Sequence, residues 1–186
     1  MLIAEAQRDV RRVYAGGFYG QLVSGAVWLV AAAFATWSSP PVAVATLFFG
    51  GMLIFPLTTL VIRLSGRPSS LPPGHPMAGL AMQIAFTVPI GFVVVVAMLG
   101  GDSELFFPAG MVIVGAHYLP FVFLYGMRLF AVLSAALVVP GVLLLYGLPV
   151  PSTVGAWLTG ALLVAFAFLL RASAHALEKN ALRRER

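Results

Sequence analysis

The chain has no cysteine and few charged residues, which make up 9% of its 186 residues. The absence of cysteine excludes disulfides, thiolate nucleophiles and cysteine-ligated iron-sulfur clusters. The one lysine, Lys179, lies beyond the last apolar run, so a retinal-type Schiff base inside the apolar region is excluded. No Asp or Glu lies within any long apolar run, and the usual group for proton or sodium coupling is therefore missing.

The residue patterns of common enzymes are also missing. There is no pair of carboxylates in an apolar run, no Ser-His-Asp set and no His-Glu-x-x-His helix. His75, His117 and His175 are too dispersed along the chain to indicate a metal site. The sequence thus favours a protein without enzymatic activity, and no pattern identifies a cofactor.

Long apolar runs dominate what is present. The chain is 61% hydrophobic with a mean hydropathy of +1.01, too apolar for a single water-soluble core of ordinary proportions. Six runs of roughly 20 residues are each long enough to cross the hydrocarbon core of a bilayer. They predict one all-α domain over residues 1–186, an integral membrane bundle of six transmembrane helices. The predicted spans are Gly16–Trp37, Pro41–Ile62, Met77–Gly100, Phe106–Met127, Leu129–Gly147 and Thr153–Ala172.

All eleven Lys and Arg residues lie before the first span, after the second, after the fourth, or at the end of the sixth and beyond it. The connection after the third span instead carries Asp102 and Glu104. By the positive-inside rule both termini are cytoplasmic, and the protein is expected to be multi-pass in a bacterial inner membrane. Residues 1–15 then form a cytoplasmic interfacial segment, 64–76 a cytoplasmic Pro/Gly-rich loop, and 173–186 a basic cytoplasmic tail.

A net charge of +5 is a feature that the chain shares with many nucleic-acid-binding proteins. The basic residues lie beside span ends, however, where they satisfy the positive-inside rule and meet anionic lipid headgroups. The predicted partner is therefore the lipid bilayer, and no nucleic acid is expected.

The segment before the first span has two interpretations. Leu2, Ala6, Val10 and Val13 follow helical spacing, and the arginines lie largely on another face. This pattern is typical of a short interfacial helix, but a charged flank of the first span has similar features. The sequence leaves both open.

Small residues recur every four positions at the start of the first span, as Gly16, Gly20 and Ser24. Such a row lets a second helix approach closely in a membrane. It predicts a packing face, either within the chain or in a homo-oligomer.

Polar side chains within the spans are concentrated in the predicted cytoplasmic half. His117, Phe121, Tyr125 and Arg128 are spaced four, four and three apart, which places them on one helical stripe, and Pro120 frees a backbone carbonyl near Ala116. The same pattern also fits a purely structural role. His117 would then be neutral and hydrogen-bonded to Gln21, Thr87 or a backbone carbonyl. Tyr125 would be an interfacial tyrosine, and Arg128 would only orient the helix in the membrane. The predicted ligand-binding residues are Gln21, Thr58, Gln83, Thr87, His117, Tyr125 and Arg128.

Two short stretches resemble a family of small multi-pass bacterial membrane proteins of unknown function. They are Gly16 to Gln21, with the sequence GGFYGQ, and Gly115 to Phe121, with the sequence GAHYLPF. The resemblance implies the same membrane topology and draws attention to Gln21, His117 and Tyr125. It implies no reaction, substrate or partner.

The leading functional hypothesis is a small inner-membrane protein that binds or transports a small solute, or binds a lipid headgroup, in a polar cavity of its cytoplasmic half. His117 would bind or gate, and Arg63 or Arg128 would attract anions at the mouth. The alternative is a structural or regulatory membrane protein that acts through helix-helix assembly.

Overall fold

The computed structural model describes residues 1–99, 103–147 and 150–184, which form helices joined by loops. Six stretches of these residues are long and apolar enough to cross a membrane: α2, α3, α4, α5 together with α6, α7 and α8. The predicted all-α bundle of six transmembrane helices is confirmed. Gly100, Asp102 and Arg186, which belong to predicted spans or connections, lie outside the described residues. The helices are α1 Ile3–Val13, α2 Phe18–Trp37, α3 Pro40–Leu64, α4 Ala78–Leu99, α5 Ser103–His117, α6 Leu119–Tyr125, α7 Leu129–Tyr146 and α8 Thr153–Arg184.

Large apolar side chains cover the outside of the bundle. Phe49 on α3, Phe86 on α4 and Val139 on α7 each expose more than half of their surface. Helices that are apolar on all sides are typical of a lipid environment, because burial inside the protein does not account for their outer faces. The bilayer is therefore the solvent of this surface.

The last helix is longer than the predicted span. The sequence predicted a span that ends at Ala172 followed by a basic tail, but α8 continues to Arg184 and has 32 residues. At 1.5 Å per residue it is about 48 Å long, well beyond a hydrocarbon core of about 30 Å. No Gly or Pro follows Ala172, and most of the residues that do are good helix formers, so nothing stops the helix at the membrane surface.

The fourth predicted span, Phe106–Met127, is two helices rather than one. α5 ends at His117 and α6 begins at Leu119, with Pro120 in its first turn. Proline has no N–H to donate to the carbonyl of Ala116, and the helix is interrupted at the position where the sequence predicted this missing hydrogen bond. α6 ends at Gly126, which adopts the left-handed conformation that commonly terminates helices.

Close contacts between glycines and neighbouring helices hold α2, α8 and α3 together. A Cβ added at Gly25 would lie 2.8 Å from a methyl of Val164 and 3.2 Å from the carbonyl oxygen of Gly160. A Cβ at Gly160 would in turn lie 2.7 Å from the Leu29 side chain. α2 and α8 thus approach backbone to backbone, the arrangement that small residues permit in membranes.

The row of Gly16, Gly20 and Ser24 packs within one chain, and a homo-oligomer through the same row stays a prediction. Gly16 and Ser24 are buried, and a Cβ at Gly16 would lie 2.7 Å from that of Ala174 on α8. Gly20 faces α3, where the nearest atom to an added Cβ is a methyl of Thr58 at 3.9 Å. The ends of the row are thus covered within the chain, whereas Gly20 between them is only partly buried.

A left-handed turn separates α1 from the first span. Ala15, Gly16 and Gly17 have φ values of 50°, 68° and 92°, a region that side chains other than glycine adopt at a cost. The turn folds α1 back onto α6, where Ala6 and Val10 are almost fully buried. Of the two interpretations of this segment, the structure shows a separate amphipathic helix, and its apolar face rests on protein.

Candidate functional site

A buried polar cluster lies where α2 meets α5 and α6. Gln21 is 2% exposed, and its side chain and that of Ser24 both lie within hydrogen-bonding reach of the Tyr118 hydroxyl. Oε1 of Gln21 and Oγ1 of Thr58 are buried without a hydrogen-bond partner. Buried polar atoms in native proteins are nearly always paired, so each of these two atoms is an exception among the described residues.

His117 and Thr87 form a second polar contact, between α5 and α4. The Thr87 hydroxyl donates to the carbonyl oxygen of Ile84 at 2.8 Å, and Nδ1 of His117 lies 2.8 Å from the same hydroxyl oxygen. Because threonine has one proton to donate, this assignment makes Nδ1 of His117 the donor and leaves Nε2 as an acceptor. The rings of His117 and Tyr118 lie 5.4 Å apart, which links this contact to the Gln21 cluster.

The remaining predicted ligand residues do not all join these contacts. The rings of His117, Phe121 and Tyr125 form the predicted stripe, with centroids 4.9 and 5.5 Å apart. Tyr125 is buried, whereas Gln83 is exposed on α4 and Arg128 is exposed beyond the end of α6. The structure thus brings Gln21, Thr87 and His117 into one chain of contacts through Tyr118, and leaves Gln83 and Arg128 outside it.

α1 caps the end of α6. Nε2 of Gln7 donates to the carbonyl oxygen of Phe123 at 2.6 Å, and Arg11 donates to that of Tyr125. The last carbonyls of a helix have no partner within it, so these side chains supply what the helix lacks. A Cβ at Gly126 would lie 2.5 Å from Oε1 of Gln7, which explains why glycine suits this position.

A pocket of about 200 Å³ lies where α1, the start of α2, α8 and the loop after α3 meet. We call it the arginine pocket. Five of the chain's ten arginines contribute to its walls, together with one glutamate and one histidine. The lining residues are Arg8, Arg11, Arg12, Ala15, Tyr19, Arg67, Arg171, Ala174, His175 and Glu178.

Contacts between distant segments position these arginines. Nε of Arg12 lies 2.8 Å from a carboxylate oxygen of Glu178 and joins α1 to α8. Nη2 of Arg67 donates to the main-chain oxygen of Arg12 at 2.7 Å and joins the 65–77 loop to α1. The guanidinium of Arg171 lies 4.6 Å above the ring of Phe18, a cation-π contact that holds it at the start of α2.

A second contact from the same loop supports α1. His75 is buried, its Nδ1 accepts a hydrogen bond from the Met77 amide at 3.2 Å, and its Nε2 lies 3.6 Å from a carboxylate oxygen of Asp9. His75 lies in the predicted 64–76 loop, and this loop packs against α1. These contacts hold the 65–77 loop and α1 together beside the arginine pocket.

The pocket has a strong positive charge. The lining residues that the structure describes, five arginines and one glutamate, sum to a formal charge of +4. Burial lowers the pKa of Arg11 from its ordinary value, and the neighbouring charge of Arg8 lowers it further. Like charges gathered in one concave site raise the local potential and favour entry of an anion.

The pocket also lies at a defined depth. Trp37 and Trp157 pack edge to face, with centroids 5.7 Å apart, at the opposite end of α2 and α8, as expected for an aromatic belt at a membrane interface. Tyr19 in the pocket precedes Trp37 by 18 residues of α2, or about 27 Å at 1.5 Å per residue. This is close to the hydrocarbon thickness of about 30 Å, so the pocket lies near the other interface.

Residues 3–173 match the sequence profile of a family of unknown function, DUF7010. The chain belongs to this family. The match confirms that the chain belongs to a family of unknown function, as the two short stretches indicated, and it spans all five pocket arginines. No curated protein and no solved structure matches the chain. The description of DUF7010 gives no activity, so function has to be argued from the geometry of the site.

Sequence reasoning missed the arginine pocket. It interpreted Arg8, Arg11, Arg12 and Arg67 as orientation charges, and it assigned anion attraction to Arg63 and Arg128, which do not line the pocket. The one available signal was Gly16-Gly17 directly after the first arginine cluster, because a glycine pair permits a reversal of the chain. Among the described residues, no group of three or more His, Asp or Glu is placed to hold a metal ion.

Proposed function

We propose that this member of DUF7010 binds a phosphate-bearing anion in the arginine pocket, on the cytoplasmic side of a bacterial inner membrane. The observation that carries the proposal is the convergence of five arginines from α1, the 65–77 loop and α8 on one pocket. Guanidinium groups bind phosphate oxygens through paired, charge-assisted hydrogen bonds, which makes arginine the preferred residue for such ligands.

Arginines that only orient the protein in the membrane do not have to gather around one pocket. The positive-inside rule requires only that arginines lie beside the spans, and Arg63 and Arg128 meet that requirement while exposed at the surface. The pocket arginines instead line a common space, in which Arg8 and Arg11 are partly buried and Arg12, Arg67 and Arg171 remain exposed. Their mutual repulsion is relieved by Glu178 and by an anion that fills the pocket.

The test is a phosphate titration of the purified protein in neutral detergent at low salt, read as the melting temperature. A ligand present at 100 times its Kd stabilises the folded state by about 2.7 kcal/mol. The paired substitution Arg67→Gln with Arg171→Gln is expected to remove most of the stabilisation, because it removes two of the five positive charges. Arg128→Gln is the matched control, since it removes an exposed arginine that does not line the pocket.

Equal melting shifts with phosphate and with chloride would contradict the proposal. So would full stabilisation by phosphate in the Arg67→Gln/Arg171→Gln protein, provided that Arg128→Gln also retains it. High salt is expected to weaken the effect, because exposed charges are screened.

The buried cluster around Gln21 supports a second candidate function, which is binding or passage of a small polar solute. The supporting observation is the pair of unpartnered atoms, Oε1 of Gln21 and Oγ1 of Thr58, in the membrane-spanning part of the bundle. A solute with hydrogen-bond donors would satisfy Gln21, and His117 lies on the same chain of contacts. Solute uptake into liposomes should fall in Gln21→Leu and His117→Ala proteins that remain folded, and unchanged uptake would contradict this function.

A further inference from the structure

We infer that the ligand of the arginine pocket is an anionic phospholipid, with its phosphate among the arginines and its acyl chains against the outer face of α2 and α8. This inference rests on the proposed function and names the chemical class of the ligand. Three observations carry it: the depth of the pocket, the apolar surface that continues from it, and its charge.

The depth matches that of a lipid headgroup. Tyr19 lies about 27 Å along α2 from Trp37, so the pocket is one hydrocarbon thickness away from the aromatic belt of the opposite interface. Arg171 lies 14 residues after Trp157, or about 21 Å along α8, and its long side chain can reach further toward the same interface. A site for a soluble anion has no reason to lie at this level, whereas the phosphates of one leaflet are already there.

An exposed apolar surface leads from the pocket into the membrane. On α2, Ala26 and Val30 follow Tyr19 by 7 and 11 residues, which places them on the same helical face, and both are exposed. On α8, Phe168 lies nearly one turn before Arg171 and is 57% exposed. A phosphate held by the arginines would therefore be followed directly by a surface suited to acyl chains.

The charge of the pocket selects among phospholipids. With a formal charge of +4, and with Glu178 already paired to Arg12, the pocket favours a headgroup whose only charges are negative. Phosphatidylglycerol meets that condition. Phosphatidylcholine carries an additional positive group that Arg8, Arg11 and their neighbours would repel.

The experiment is native mass spectrometry of the full chain in neutral detergent with equimolar phosphatidylglycerol and phosphatidylcholine of identical acyl chains. The wild-type protein is expected to retain one phosphatidylglycerol at least tenfold more often than phosphatidylcholine. The Arg67→Gln/Arg171→Gln protein should lose about tenfold of this preference, which corresponds to about 1.4 kcal/mol. Arg128→Gln should keep it.

A parallel titration with inorganic phosphate separates the two proposals. If phosphate stabilises the protein through the arginine pocket while both lipids are retained equally, the lipid assignment is wrong and the proposed function stands. If neither the stabilisation by phosphate nor the retention of phosphatidylglycerol changes on replacing Arg67 and Arg171, both the proposed function and the lipid assignment are wrong. Retention of phosphatidylglycerol that is equal in all variants would overturn the lipid assignment, because it would reflect nonspecific adsorption.

Discussion

Replacing Gly16 by alanine is expected to disrupt the arginine pocket without removing any charge. Gly16 lies in the left-handed turn that directs α1 back onto the bundle, with φ at 68°, and it contacts α8 at Leu170 and Ala174. The α1 arginines stand on one side of this turn, and Arg171 and Glu178 stand on the other. The conformation of this turn therefore determines whether α1 and α8 lie close enough to form the pocket.

The structure gives the magnitude of the effect. A residue with a Cβ adopts this backbone conformation at a cost of about 1 to 2 kcal/mol. The added Cβ of Gly16→Ala would also lie 2.7 Å from that of Ala174 and 3.1 Å from the Leu170 carbonyl oxygen, so α1 or α8 must move. Overpacking of this kind costs about 1 to 3 kcal/mol, which gives a total of about 2 to 5 kcal/mol.

Thermal unfolding of the purified protein measures this loss. For a chain of this length 1 kcal/mol corresponds to about 2 to 4 °C, so the melting temperature should fall by roughly 4 to 20 °C, and phosphate stabilisation should fall with it. Gly51→Ala is the matched control, because an added Cβ there meets nothing within 4 Å and its position is helical. A Gly16→Ala protein as stable as Gly51→Ala, with phosphate binding intact, would refute the role of this turn.

Three further predictions concern packing, capping and orientation. Gly25→Ala should destabilise the protein by about 1 to 3 kcal/mol in thermal unfolding, because its Cβ would meet α8, whereas Gly20→Ala should change stability little; equal effects would contradict the tight α2–α8 contact. Gln7→Ala should cost about 1 kcal/mol and raise amide hydrogen exchange in α1, and unchanged exchange would show that this capping bond does not hold the helix. Because the chain has no cysteine, Ser65→Cys and Ser38→Cys can each be labelled singly with a membrane-impermeant maleimide. Ser38→Cys should react in intact cells and Ser65→Cys only after lysis, and the reverse pattern would place the arginine pocket outside the cell.

The sequence was sufficient for features that depend on local composition. Span lengths follow directly from apolar runs, and α3 at Pro40–Leu64 differs by only a few residues from the predicted Pro41–Ile62. The effect of Pro120 was also predictable, since a missing N–H has a fixed consequence one turn earlier. The full length of α8 was not predictable from the span length, because a membrane boundary does not end a helix whose following residues favour helix.

The candidate site depends on contacts that local patterns do not contain. Arg12 and Glu178 are 166 positions apart in the chain, and nothing near either residue indicates that they form a pair. The positive-inside rule also gives every arginine beside a span a sufficient explanation, so it hides those that have a second role. For the same reason Gln83 and Gln21 looked equivalent in sequence, yet one is exposed and the other is buried in the bundle.

The most direct test of the arginine pocket is an NMR titration of the arginine side-chain Nε–H signals with inorganic phosphate. The chain has ten arginines, few enough to assign by substitution. Binding in the pocket predicts saturable shifts of the Arg67 and Arg171 signals at phosphate concentrations that leave Arg63 and Arg128 unchanged. Equal, non-saturating shifts of all four signals, or no shift of any, would contradict the account.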